Sequence, residues 1–276
     1  MEIIDGKKIS QEVLAKVKDE VSKLSFQPVF CDVLVGEDPA SMQYVQMKGK
    51  RAESVGIHFH NANFPSSIST EELIKEIEVL NKIPNMCGII VQLPLPESID
   101  RRRVLDAIDP KLDVDCLGTI ASESFYKGEI ELGFPTALSC MELLDSLRLD
   151  LTDKNIVVLG QGELVGRPVT ALLNFRNLSP TIITRKTENK EELIKQADII
   201  ISGIGKGKYI TGDMLKQGVV LIDAGTSEST SGIVGDIDLE SVKDVASAIS
   251  PVPGGVGPMT VAMLLKNVLT VAKKHE

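Results

Sequence analysis

Tyr44 and Lys48 stand four residues apart in YVQMK, within residues 38–56, whose apolar spacing predicts a helix. At that spacing the two side chains share one helix face. A buried lysine beside a tyrosine can hold a lowered pKa and move protons, whereas the same pair on a surface helix is only an amphipathic rim. Gln92, flanked by Val91 and Leu93, closes the run CGIIVQL and precedes the prolines of PLP. A polar amide at the carboxyl end of a buried strand, just before a rigid turn, is where α/β proteins place ligand-contacting side chains. DPKLDVDCLG, residues 109–118, adds Asp113 and Asp115. These acids suit turn formation, and Asp115 could also accept hydrogen bonds from a ligand's amide and amino groups.

A second constellation lies in VVLGQGELVGRP, residues 157–168. It reads as a strand, a glycine-rich turn and a helix start. Gly160 and Gly162 permit a tight turn and close approach of a pyrophosphate, and the helix N-terminus beyond Val165 and Gly166 supplies free N–H groups. The spacing GxGxxxG is one residue longer than the usual dinucleotide fingerprint. The next strand, TIIT, ends in Arg185 and Lys186. A site for NAD places an acid near there, about 20 residues on, to bind the ribose 2′-hydroxyl. Two cations instead suit a 2′-phosphate and lean toward NADP, with NAD still open, unless both lie on a solvated loop. A third stretch, PVPGGVGPMT at residues 251–260, combines Pro253, Gly254, Gly255, Val256 and Gly257 just before the last apolar helix. It is either a tight connection or a backbone kept bare for a flat ligand.

The elements that must carry these residues alternate along the chain. Helical periodicity covers 9–23. PVFCDVLVG and CGIIVQL are buried-strand runs, and IHFHNANF is a strand. A second series follows: TALSCMELLDSL helix, NIVVLG strand, ELVGRPVTALLNF helix, PTIIT strand, KEELIKQA helix, DIIISGIG strand, GDMLKQ helix and VVLIDAG strand. Short apolar runs alternating with amphipathic helices mean parallel βαβ units, hence an α/β fold. The expected organisation is two lobes. Residues 1–135 form the first, completed by a terminal helix at 258–276, and residues 136–257 form a Rossmann-type lobe. The polar stretch SESFYKGEIELGF marks the boundary between them.

The chain has 276 residues, 43% of them hydrophobic, and a net charge of −9. Nucleic acid is an unlikely partner for so acidic a chain, since phosphate contacts need clustered Lys and Arg. No apolar run approaches a membrane span. The four cysteines form no CxxC pair, and His58 and His60 alternate on a strand, so no metal is expected and a reducing cytoplasm is.

YVQMK, VQLPLP, DVD, the VGRP loop and PVPGGVGPMT occur in the order found in the bifunctional methylenetetrahydrofolate dehydrogenase/cyclohydrolase family, which the chain resembles over nearly its whole length. The resemblance implies an enzyme that oxidises 5,10-methylenetetrahydrofolate to the methenyl form with NADP and hydrolyses that form to 10-formyltetrahydrofolate. It also implies a homodimer and a folate cleft between two lobes. Lys48 matches the family's catalytic lysine and Gln92 the glutamine that positions it. Tyr44 matches the tyrosine over the folate ring, and Asp115 the aspartate that anchors the pterin. PGGVG would line the cleft beside the two rings. The cofactor residues implied are Gly160, Gln161, Gly162, Val165, Gly166, Arg185, Lys186 and Thr226. Four positions depart from the family pattern. FPTALS replaces PCTP, Cys116 stands for a glycine, Gln161 for an arginine and Thr226 for an isoleucine.

Overall fold

The computed structural model describes residues 1–229 and 232–275. In chain order the first elements are β1 (Glu2–Ile3), α1 (Gly6–Val21), β2 (Val29–Val35), α2 (Pro39–Ser54), β3 (His58–Phe64), α3 (Thr70–Leu80), β4 (Met86–Val91), α4 (Arg101–Asp106) and α5 (Thr119–Lys127). There follow α6 (Pro135–Ser146), β5 (Ile156–Leu159), α7 (Gly166–Phe175), β6 (Thr181–Ile183), α8 (Lys190–Gln196), β7 (Ile199–Ser202) and β8 (Val220–Asp223). The hairpin β9 (Ser227–Ser229) and β10 (Gly232–Val234), α9 (Leu239–Val242), β11 (Ala248–Ser250) and α10 (Val256–Ala272) complete the order. The chain divides into two compact units. One is Glu12–Pro135 with the residues from Leu264 onward, and the other is Met1–Gln11 with Thr136–Met263.

In the first unit, β3, β2 and β4 form a parallel sheet with β2 in the middle. Every residue of β2 and β4 is buried. That is why both read as continuous apolar runs rather than alternating ones. The start of α2 is fixed by Asp38, whose carboxylate accepts from the Ser41 N–H at 2.8 Å, and by Pro39 at the first helical position. This phase turns Val45, Lys48, Gly49 and Ala52 inward. Residues 109–118 are stitched to β4. Ile89 N–H donates to the Leu112 carbonyl at 2.8 Å, and the Asp113 carboxylate accepts from Gly118 N–H at 2.7 Å. Asn267 on α10 ties down the same loop. Its amide donates to the carbonyls of Val114 at 2.8 Å and Gly133 at 2.7 Å.

The second unit is built on six parallel strands in the order β1-β11-β8-β7-β5-β6. From β5 the chain crosses to β6 on one side and then returns to β7 on the other. The carboxyl end of β5 is therefore the topological switch point, the usual ligand position in such sheets. Two buried acids shape the loops beyond β7 and β8. Asp236 accepts from the Ser202 hydroxyl at 2.7 Å and from the N–H groups of Ile204 and Lys206, both at 2.8 Å. Asp223 accepts from Gly225, Asp236 and Ile237 N–H groups at 3.0, 3.1 and 2.9 Å.

Several expectations change. Residues 1–11 group with the second unit, because β1 adds to the edge of the larger sheet beside β11. The terminal helix starts at Val256 rather than 258, its first turns group with the second unit, and Glu276 lies outside the described residues. GDMLKQ makes only a 3₁₀ turn, Gly212–Met214, because Leu215 is already extended. SESFYKGEIELGF is helical as far as Lys127, where Gly128 ends α5 with φ 71°.

Asn267→Leu should leave both carbonyls buried and unpaired, at about 1–3 kcal/mol each. Urea unfolding should show an earlier first transition, and an unchanged midpoint would deny the tie any weight.

Candidate active site

Three of the residues singled out in the first unit, Gln92, Tyr44 and Asp115, converge on Lys48, and a fifth group joins these four. Lys48 comes inward from α2 and is 2% exposed. Its Nζ donates to Gln92 Oε1 at 2.8 Å, just beyond the carboxyl end of β4. The other end of that amide is fixed, since Gln92 Nε2 donates to the Leu93 carbonyl at 2.8 Å. The Tyr44 ring, one helical turn back, has its centroid 4.8 Å from Lys48 Nζ. Burial, with help from Asp115 and Asp32, pushes the Tyr44 phenol up to about 12, so it stays neutral. Asp115 sits half-buried on the loop stitched to β4. Burial raises its carboxyl to about 7, Lys48 pulls it down, and Asp113 and Asp32 push it up further.

The fifth group is Asp32, the central residue of β2. It is completely buried, and its carboxylate lies 2.6 Å from Lys48 Nζ. Lys48 is therefore not a lysine buried alone beside a tyrosine but half of a buried ion pair. Burial pushes the Asp32 carboxyl up, and the Lys48 ammonium opposes that shift. The signal was present in the sequence. An acid inside PVFCDVLVG cannot be tolerated in a buried strand without a cationic partner. Cys116, in the place of a glycine, takes φ 58°, so the cysteine adopts the left-handed backbone that glycine favours.

In the second unit the glycine-rich turn leaves the switch point as expected. Gly160 has φ 90°, and a Cβ there would come within 3.0 Å of the Gly203 carbonyl. A Cβ on Gly166 would collide with the Gly160 carbonyl, so α7 can start against the turn only with glycine there. Gly162 has open space on its Cβ side. The turn, the half-buried Val165 and the start of α7 thus form a bare backbone concavity suited to a pyrophosphate, with Gly160 N–H given to the Ile183 carbonyl at 2.8 Å and Arg167 N–H to the Gly162 carbonyl at 3.2 Å. The Gln161 amide folds back onto the Gly160 carbonyl at 2.9 Å and Thr170 Oγ1 at 3.1 Å. Arg185 and Lys186 are exposed just past β6, and Thr226 is exposed past β8. At PGGVG, Gly254 has φ 114°, and Gly255 N–H closes a turn on the Pro251 carbonyl at 2.7 Å. Pro253 and Gly257 are exposed, Val256 is buried, and neither Gly254 nor Gly257 has any atom within 4 Å of a Cβ position. The backbone is bare only at Gly254 and at Gly257 in the first turn of α10; Gly255, expected to line a cleft, is instead buried, and a Cβ there would come within 2.7 Å of the Pro251 carbonyl.

A model of the family described as tetrahydrofolate dehydrogenase/cyclohydrolase, catalytic domain, matches residues 4–115, and the NAD(P)-binding domain of the same family matches residues 135–276. The chain belongs to this family. Its members include the bifunctional protein FolD of Moorella thermoacetica, 44% identical over 99% of both chains, and that of Nitratiruptor sp., 43% identical over 100% of this chain and 99% of that one. Among solved structures, bifunctional FolD from Campylobacter jejuni superposes with a TM-score of 0.95 at 36% identity, covering 100% of both chains. The Trypanosoma brucei dehydrogenase-cyclohydrolase, solved with NADP cofactor and an inhibitor, gives 0.91 at 31% identity, over 99% of this chain and 97% of that one. As a family member the chain is an enzyme of one-carbon metabolism with a dehydrogenase and a cyclohydrolase activity on tetrahydrofolates.

The ion pair makes a stability prediction. Lys48→Met leaves Asp32 buried without its cation, which should cost about 3–5 kcal/mol at neutral pH. The unpaired Asp32 has a raised folded-state pKa, so the native state holds its proton more tightly than the unfolded chain. Stability is then lost as pH rises from the unfolded carboxyl range through the folded one. Melting temperatures of parent and variant should draw together toward pH 4 and separate toward pH 8. A gap independent of pH would contradict a buried, unpaired Asp32.

Proposed function

We propose that the first unit performs the proton transfers of methenyltetrahydrofolate hydrolysis through Lys48, and that the second binds NADP as the hydride acceptor. The observation that carries the reading is the Lys48 Nζ held between Gln92 and a carboxylate at the carboxyl end of β4. A buried amine fixed at two points can meet a proton in one direction only, which is what acid–base catalysis requires.

NADP held by the glycine-rich turn of the second unit would supply, at C4 of its nicotinamide, the acceptor for the hydride of the methylene carbon. The chain's part in that step is orientation. Asp115 accepts hydrogen bonds from the pterin's amide and amino groups, the Tyr44 ring stacks on the folate, and the bare backbone at Gly254 and Gly257 admits flat rings. Val91, Gln92 and Leu93 supply the strand end against which the folate lies. In hydrolysis, water adds to the methenyl carbon and Lys48, in its neutral amine form, accepts the proton as the water's O–H bond breaks. Lys48 then gives that proton to the ring nitrogen as its bond to that carbon opens, and the carbinol hydroxyl loses its own proton to solvent as it becomes the formyl carbonyl. The sum consumes one water and releases one proton. Gly160, Gly162 and the start of α7 hold the pyrophosphate, while Arg185 and Lys186 face the 2′-phosphate. The protein works in the cytoplasm as a homodimer, as expected of its charge, cysteine usage and family.

Lys48→Met should abolish cyclohydrolase activity and retain measurable hydride transfer when both are assayed below the variant's melting temperature. Hydrolysis at the parent rate would overturn the assignment. Asp115→Ala should weaken folate binding by about 1–3 kcal/mol and leave nucleotide binding unchanged. In the parent, folate affinity should fall as pH drops through about 7, where the carboxylate takes up a proton; titration by fluorescence quenching reads both. With the Gln161 amide folded back from its turn onto the Gly160 carbonyl and Thr170 of α7, a modest NADP preference rests on Arg185 and Lys186. A charge-assisted contact is worth about 1.5–3 kcal/mol. Arg185→Ala should therefore cut the NADP/NAD ratio of kcat/KM by roughly tenfold or more, and an undiminished ratio would show that the loop cations are only solvated.

A further inference from the structure

We propose that Asp32 is a positioning residue of the hydrolytic step: its enclosed carboxylate, 2.6 Å from Lys48 Nζ, fixes the amine in place and shapes the pH dependence of hydrolysis. The inference rests on the role proposed for Lys48 and adds a carboxylate that neither the family motifs nor the sequence reading assigned.

Asp32 lies in the middle strand of the first unit's sheet, in a strand buried along its whole length. A carboxyl there is expensive unless it is paired, and valine or isoleucine would serve the sheet better. Its ion-pair partner is Lys48, at 2.6 Å. A purely structural salt bridge at this point would be a poor stabiliser, because desolvation of both groups offsets most of their attraction. The pair instead occupies the one lysine that already meets the Gln92 amide.

The geometry gives Asp32 a task distinct from that of Asp115. In the form that accepts a proton, the amine has two N–H directions and one lone pair. Asp32 takes one N–H and Gln92 Oε1, at 2.8 Å, takes the other. The lone pair is the direction open to water. Asp115 is half-buried and able to meet a ligand, whereas Asp32 is wholly enclosed and cannot touch the folate. Asp32 therefore acts only through Lys48. The other titratable groups around the pair are Tyr44 on α2, Asp115 and Asp113 on the loop beside β4, and Cys31 next to Asp32 on β2. Tyr44 and Cys31 stay protonated, since burial pushes both up. Asp115 shares the Lys48 charge, as its own downward pull from Lys48 shows. Removing Asp32 takes away the carboxylate 2.6 Å from Lys48 Nζ, and with it the negative charge that favours a proton at this point, leaving Asp115 as the remaining acid that interacts with Lys48. Hydride transfer moves no proton through Lys48 and depends far less on Asp32.

The test is the pH profile of methenyltetrahydrofolate hydrolysis in the parent, Asp32→Asn, Asp32→Val, Lys48→Met and the Lys48→Met/Asp32→Val double variant. Hydride transfer with NADP is followed in the same samples. Both Asp32 variants should move the acid limb of the hydrolysis profile to lower pH by roughly 1–3 units, with a larger change in hydrolysis than in hydride transfer. Val already recurs along β2, so Asp32→Val carries the test if Asp32→Asn does not fold. In the Lys48→Met background, the Asp32 change should leave any residual hydrolysis and its pH dependence unaltered. An acid limb that stays in place in the Asp32 variants, while Lys48→Met is inactive, would overturn the role of Asp32 and leave that of Lys48 intact. Full hydrolysis in Lys48→Met would instead remove the reading on which the inference rests.

Discussion

A lysine and a carboxyl taken out of water together constrain everything near them. Neither Lys48 nor Asp32 can be left without the other, so β2 and α2 must keep a fixed distance and α2 a fixed rotation. The helix meets that demand through its N-terminus. The Asp38 cap and Pro39 set its phase, and Gly49 leaves room for the Phe59 ring of β3 against it. The loop carrying Asp115 is fixed to the neighbouring strand β4 and to α10 through Asn267. The first unit is thus a rigid frame around one amine. Its rigidity comes from hydrogen bonds to backbone groups rather than from surface ion pairs, which contribute little.

The second unit solves a different problem with different means. Its glycine-rich turn offers backbone N–H groups at a switch point, where helix direction and chain crossing coincide. Close packing there relies on missing Cβ atoms. Gly166 starts α7 against the Gly160 carbonyl, and Gly225 leaves space that the Asp236 carboxyl fills. Buried Asp223 and Asp236 take the place of regular pairing for the loops after β7 and β8. Burial lifts the Asp223 carboxyl to about 7 against the pull of three N–H donors.

How much of this was legible in the sequence follows from the physics of each signal. Parallel strands buried on both faces read as unbroken apolar runs, so β2, β4, β5, β7 and β8 were plain. Short segments were not. β1, β11 and the 3₁₀ turn at Gly212–Met214 are too brief to carry a period, and tertiary pairing decides their state. Residues 1–11 could not be assigned to a unit from sequence, because β1 joins β11 across most of the chain. Lys48, Gln92 and Asp115 were legible as chemistry at strand and helix ends. The burial partner of Lys48 was not, although an acid within PVFCDVLVG was the visible anomaly. Gln161 looked available to a ligand, and only the fold shows its amide turned back onto Thr170.

The division of labour between a proton-handling amine and a separate hydride acceptor can be observed in a single turnover. Parent enzyme and Lys48→Met, each in excess over methylenetetrahydrofolate and mixed with NADP, would be followed at once by the absorbance of the methenyl compound and of reduced nucleotide. In the parent the methenyl signal should rise and then decay as hydrolysis follows. In Lys48→Met it should rise in step with reduced nucleotide and persist beyond the slow decay seen without enzyme. A methenyl signal that decays at the parent's rate in the variant would contradict the assignment of hydrolysis to Lys48.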